Sequence, residues 1–308
     1  MSAGALHKPT GRASLGAGFA GATMLLWAVL PFFLAGALER VDPLTLTWAR
    51  FTIASGVLLP WLALRGALPE LRKLAGGGWR LLALAVLGLA TNYIAYLVGL
   101  QRTTPAGAQV LIQLAQVLLS LGALFVFGER FSRVQWAGFA TLVIGLVTFS
   151  WAQLAQLAAE FDRYLSGVAL IVFASITWAG YGLAQKQLLV RLGAQPLMLL
   201  IYLGCALCFT PFASPRALLA LDAQSWALVA FCGANTLLGY GALAAALAHW
   251  EASRVSALLA AGPLITLAIA ALALGNVPAE RLDAASWFGA LCVVAGSLAT
   301  SAGRRSST

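Results

Sequence analysis

Glu129-Arg130-Phe131-Ser132-Arg133-Val134-Gln135-Trp136-Ala137-Gly138 returns 151 residues further on as Glu280-Arg281-Leu282-Asp283-Ala284-Ala285-Ser286-Trp287-Phe288-Gly289. At the same offset Val143 meets Val294, Gly145 meets Gly296, Ser150 meets Ser301 and Trp27 meets Trp178. Over the 22 positions from Glu129 to Ser150, seven are identical, and Tyr96 and Tyr240 follow with a small gap. A period of about half the 308-residue chain predicts a duplicated unit. The expected halves are 1–151 and 152–308. The fold turns on what that unit is.

Composition answers part of this. The chain is 61% apolar and 9% charged, whereas soluble domains carry about 25% charged residues and could not cover their surface with so few. A helix crosses the roughly 30 Å hydrocarbon core with about 20 apolar residues. Ten such stretches fit, at about 15–38, 44–64, 80–100, 106–127, 134–151, 165–189, 196–213, 225–248, 254–275 and 285–302. The joints between them are too short for a soluble domain. Lys8, Arg12 and Ala35-Gly36-Ala37 mimic a secretory signal, but the apolar run they flank is too long, so it reads as an uncleaved first span.

Nineteen Lys and Arg against ten Asp and Glu give +9, which in a soluble chain would suggest nucleic acid. Here no basic run exceeds the pairs Arg72-Lys73 and Arg304-Arg305, and the charge sorts by membrane side instead. With the amino terminus inside, thirteen basic and three acidic residues fall on inner joints and tails, and six basic and seven acidic residues on outer ones. The two surfaces then carry about +10 and −1, as the preference of Lys and Arg for the cytoplasmic side requires. Both termini are expected in the cytoplasm of a cell inner membrane. Five spans is an odd number, so the second copy of the unit must insert upside down. The expected fold is an all-α integral membrane protein of ten transmembrane helices, arranged as two inverted five-helix repeats.

With these features the chain resembles the drug/metabolite transporter superfamily, in its ten-helix EamA-type branch, over almost its whole length. The resemblance rests on Trp27 and Trp178, on Asp42-Pro43-Leu44-Thr45-Leu46-Thr47-Trp48-Ala49-Arg50-Phe51, on the stretch from Thr104-Pro105-Ala106 to Gly128-Glu129, and on Gly-rich fifth and tenth helices. It implies secondary transport, with export of amino acids or other metabolites among the family's activities. The proline common in the middle of the family's fourth helix is replaced around Gln116, while Pro263 keeps it in the ninth, so the halves are expected to flex differently.

A path through the membrane needs polar side chains at depth. Trp27 and Trp178 lie mid-span, whereas the other eight tryptophans fall near span ends as interfacial anchors do. The pair is expected on opposite walls of a central cavity, or else as bulky core. Gln109, Gln113, Gln116 and Ser120, at steps of four, three and four, form one helical face that should turn from lipid to the bundle interior. Asn92, Tyr96, Gly99 and Thr103 form a similar face in the third span, with Thr236 and Tyr240 at the corresponding places in the eighth and Asn235 one residue off. Tyr181 completes the set. Arg50 lies on the order of 10 Å inside the outer boundary by helical rise. It reads either as an anchor for a substrate carboxylate or phosphate or, the favoured reading because the family often places Arg here, as a structural side chain that snorkels outward or caps helix ends. Lys186 is expected to snorkel to the inner face.

None of the ten acids falls mid-span, and only His7 and His249 could otherwise load a proton. There is no phosphate-binding loop for ATP, and Cys205-x-x-Cys208 reads as small packing residues, not a metal or redox pair. No cofactor or metal is expected. The partners expected are the lipid bilayer and a small-molecule substrate, not nucleic acid. The predicted function is alternating-access export of a small polar or amphipathic metabolite, an amino acid or derivative. The alternatives are a membrane enzyme on lipid-linked substrates, for which acid or histidine clusters are missing, and a non-transporting scaffold or sensor.

Overall fold

A computed structural model describes residue 10 and residues 12–127, 132–156, 161–250, 252–259, 261–273 and 283–301. The repeat motif residues Glu129, Arg130, Glu280 and Arg281 lie outside these, as do His7, Glu251 and the terminal Arg304 and Arg305. The described chain is helical: α1 (Ala13–Leu38), α2 (Pro43–Leu64), a short 3-10 turn (Leu71–Leu74), α3 (Gly78–Arg102), α4 (Pro105–Leu111), α5 (Leu114–Phe127), α6 (Arg133–Gln156), α7 (Phe161–Leu188), α8 (Ala194–Phe209), α9 (Pro215–Leu219), α10 (Ala223–His249), α11 (Ala252–Leu259), α12 (Gly262–Ala273) and α13 (Ala284–Ser301). Six of these (α1, α2, α3, α6, α7 and α10) are long and apolar enough to cross a membrane, and shorter apolar helices stand beside them.

Helix starts follow local chemistry. Asp42 accepts from the backbone N–H groups of Leu44 and Thr45, both at 3.0 Å, and Pro43 fills the first helical position, where no N–H is missed. Thr104 and Pro105 repeat the device at α4, with Gly107 N–H donating to Thr104 Oγ1 at 3.0 Å. Asp222 caps α10 by accepting from Ser225 N–H, and hydrogen bonds from the Ser225 hydroxyl and N–H lower the pKa of its carboxyl.

Two of the expected spans are not continuous helices. The fourth breaks between α4 and α5, although it has no proline there. Through the break the backbone bonds tighten to i→i−3: Gln113 N–H donates to Val110 O at 3.2 Å, Ala115 to Ile112 at 2.9 Å and Gln116 to Gln113 at 3.1 Å. The Gln113 amide meanwhile reaches back to Gln109 O at 3.4 Å, competing for the carbonyl that a straight helix would give to the backbone. The ninth breaks between α11 and α12 with the same tightening, Ala261 N–H to Leu258 O at 3.2 Å and Leu264 N–H to Ala261 O at 3.2 Å, and Pro263 lacks the N–H to continue. Both halves thus break within the corresponding span, and proline stands at the break only in the ninth.

Packing is closest between α6 and α13, α3 and α7, α1 and α10, and α2 and α8. Glycines permit the first of these. A Cβ on Gly145 would stand 2.7 Å from Gly289 O, one on Gly289 would stand 2.7 Å from Phe149 N, and one on Gly296 would meet Leu142 N and Gly138 O. The small residues of the tenth span thus serve an internal seam. Side chains such as Leu87, Val147 and Leu207 are left on the outside, as a lipid-facing surface allows. The aromatic core (Phe51, Tyr93, Tyr181, Tyr202) lies between α2, α3, α7, α8 and α10.

Candidate functional site

α1 and α10 meet where Asn235 Nδ2 donates to Leu26 O at 2.7 Å, and α3 and α7 meet where Asn92 Nδ2 donates to Ala174 O at 2.9 Å. These two bonds stand beside Trp27 and one turn before Trp178. Each asparagine satisfies a carbonyl near a mid-span tryptophan, which explains why Asn235 sits off the face of Thr236 and Tyr240. Between these helix pairs and the α4–α5 and α11–α12 breaks lies a cavity of about 90 Å³. At roughly 30 Å³ per water it exceeds a single solvent site.

Of the expected residues, Trp27, Arg50, Asn92, Tyr96, Gln109, Gln113, Gln116, Trp178 and Tyr240 line it together, with Met24, Pro31, Tyr93, Ile112, Leu259 and Gly262. Tyr181 does not. It is fully buried behind the wall, its hydroxyl 3.7 Å from Met198 Sδ and its ring 6.0 Å from that of Tyr240. Nor do the tryptophans face each other across a gap. Their rings touch edge to face, centroids 6.1 Å apart at 77°, and Trp27 leans on Tyr240 at 4.9 Å, so the two form one aromatic corner. Gly239 makes room for it, since a Cβ there would stand 2.6 Å from Trp27 Nε1. The glutamine stripe converges even though the helix breaks within it. Gln109 Nε2 lies 3.5 Å from where a Cβ on Gly262 would be, bringing the two breaks together. The side chain of Ser120 lies outside the described residues.

Arg50 is 3% exposed and neither snorkels outward nor caps a helix end. Its Nε donates to Thr236 Oγ1 at 3.0 Å, and its guanidinium carbon stands 4.5 Å above the Tyr93 ring. Thr236 is fully used: its hydroxyl donates to Cys232 O at 2.9 Å and accepts from Arg50 and, at 3.4 Å, from Tyr93 OH. The cation–π contact offsets about 0.5–2 kcal/mol, less than the several kcal/mol that burying an ion costs. Among the described residues Arg50 has no acidic partner; the Lys73–Glu70 ion pair lies outside the bundle core. Lys186 is also buried.

Tyr93 was not among the expected residues. It lies three positions before Tyr96, a spacing that shares a helical face. Thr236 was noted but not as the partner of Arg50. Cys205 is buried and Cys208 exposed, so they point apart, and among the described residues no cluster of His, Cys, Asp or Glu could hold a metal.

Comparison with known proteins agrees with this architecture. The profile of the EamA-like transporter family matches residues 14–151 and again 165–302. The chain is 36% identical over 299 residues to the inner membrane transporter YhbE of Escherichia coli (strain K12), covering 96% of this chain and 93% of that one. It is 28% identical over 288 residues, 89% of this chain and 90% of the other, to a protein of Salmonella typhimurium (strain LT2) named a "probable amino-acid metabolite efflux pump". A solved crystal structure shares the fold with a TM-score of 0.67 at 20% identity, covering 96% of this chain and 99% of its own.

Proposed function

The chain belongs to the EamA-like transporter family of the drug/metabolite transporter superfamily, and from that premise we propose that it exports a small amino acid or amino-acid derivative across the inner membrane by alternating access. The observation that carries the proposal is the central cavity. Its wall is drawn from α1–α5 of the first half and α7, α10, α11 and α12 of the second. It is polar through amides, tyrosines and one guanidinium, at a depth where such groups are costly unless they serve a path or a bond.

Alternating access needs two halves that can exchange roles. Counting α4 with α5 and α11 with α12 as single broken spans gives ten, and the two profile matches are displaced by 151 residues, the offset of the sequence repeat. Under exchange of the five-span halves, the α3–α7 contact becomes α10–α1, while α2–α8 and α6–α13 map onto themselves, and all four are the principal contacts. The excess of basic residues on the inner joints supports a cytoplasmic location for both termini. Flexing at the two breaks, which meet at the cavity, would open one side or the other. No paired acids line the cavity among the described residues, so an enzyme on lipid-linked substrates is not the reading we adopt.

Counterflow in proteoliposomes preloaded with single unlabelled amino acids tests the proposal. Uptake of the matching labelled compound is expected for at least one of them, without ATP. No exchange for any would sink the amino-acid reading. A Gln113→Ala variant separates a carrier, which loses exchange, from a scaffold, which tolerates the change.

A further inference from the structure

We infer that Arg50 is an anion receptor and that ligands of the cavity are recognised through a carboxylate. The inference deepens the transport reading and rests on it for the cavity's role. A guanidinium has five N–H donors. Nε is taken by Thr236, one face is covered by Tyr93, and the two Nη groups donate to no group among the described residues. They are also absent from the fully enclosed polar atoms without partners, so the Nη edge keeps surface in the cavity that Arg50 lines. Two parallel N–H groups on one edge match the two oxygens of a carboxylate.

The surroundings select for one negative charge. Tyr93, Tyr96, Asn92 and Gln109 are neutral side chains, and among the described residues no second Arg or Lys lines the cavity. A monocarboxylate neutralises the single cation, whereas a phosphate dianion would bring an excess charge into a wall otherwise built of rings and amides. The Trp27–Trp178–Tyr240 corner then takes the apolar or ammonium-bearing remainder of the ligand. The fixed geometry of Arg50 distinguishes this from a purely structural arginine, which would spend its Nη groups on carbonyls, as Arg191 does on Lys73, Ala75 and Gly76.

The test uses the purified full-length protein in detergent and simple probes: acetate and propionate, their amides acetamide and propionamide, and inorganic phosphate, with chloride at equal ionic strength as reference. Thermal unfolding is followed at increasing probe concentration. Propionate is expected to raise the melting temperature at concentrations at least tenfold below those at which propionamide or phosphate acts. Arg50→Gln should abolish that preference and Arg50→Lys should keep part of it. The acid–amide comparison on the unaltered protein stands even if a variant fails to fold. Equal shifts from acid and amide, a stronger shift from phosphate, or a preference that survives in Arg50→Gln would overturn the inference. If carboxylates act through Arg50 yet no amino acid exchanges in proteoliposomes, the amino-acid assignment fails while the receptor stands. If amino acids and their amides exchange equally well, the receptor fails while transport stands.

Discussion

Thr236 shows how little stands between a buried cation and a misplaced one. Its hydroxyl is aimed by the bond to Cys232 O, and both lone pairs then hold Arg50 and Tyr93. Thr236→Val keeps the shape and removes both acceptors, a loss of about 1–3 kcal/mol in a buried site. Exchange should fall roughly tenfold, since about 1.4 kcal/mol is a factor of ten. An unchanged rate in counterflow would show that Arg50 is held by other means. Gly239→Ala puts a methyl 2.6 Å from Trp27 Nε1 and must push the indole off Tyr240. Exchange should drop with a shift in tryptophan emission, while Gly241→Ala, with nothing within 4 Å, leaves both unchanged. The candidate residues were legible because amides, tyrosines and an arginine at span depth have few places to go. What sequence could not give was their mutual arrangement: that Tyr181 stands behind Tyr240, or that Thr236 serves Arg50 across the α2–α10 contact.

At the scale of elements, span positions were legible from apolar length, and starts from Asp-Pro and Thr-Pro pairs. The break in the ninth span was foreshadowed by Pro263. The break in the fourth was not, because it depends on a side-chain amide competing for a backbone carbonyl, and Gln113 has the composition of any polar helix residue. The α10 cap gives a pH-dependent prediction. The hydroxyl and then the N–H of Ser225 stabilise the ionised Asp222, so its folded pKa lies below its unfolded value. The contribution is complete above the usual carboxylate range and is lost as pH falls through the depressed value. Asp222→Asn, also a good cap, should melt close to the unaltered protein at neutral pH and show a flatter acid decline. Equal acid slopes in scanning fluorimetry would refute this role.

For the whole molecule, the duplication was readable at an offset of 151, but which helix meets which was not. Spans that are apolar all round present no single stripe to mark a neighbour. The glycines resolve it after the fact, because Gly145, Gly289 and Gly296 let α6 and α13 approach to backbone contact. Gly289→Val should force the seam apart, overpacking of this kind costing about 1–3 kcal/mol or more. The expected result is a lower melting temperature and a loss of monodisperse protein on size exclusion. A normal melt would mean that α13 has room to move away.

The buried charge of Arg50 also bears on how a proposed transport cycle would respond to voltage. Each elementary charge carried through the full membrane potential is worth about 2.3 kcal/mol per 100 mV. If the chain alternates access as proposed, an inside-negative potential would draw the empty carrier with its bare guanidinium towards the cytoplasm-facing state, ready to load. On the proposed cycle, a monoanion bound at Arg50 would cancel that charge and free the loaded carrier to turn outward, so that each cycle would move one negative charge out of the cell. A zwitterion leaves the cation uncancelled in both directions, and its export gains nothing from the voltage. A single buried side chain would thus make the resting potential an engine for monoanionic cargo and leave neutral cargo to its own gradient.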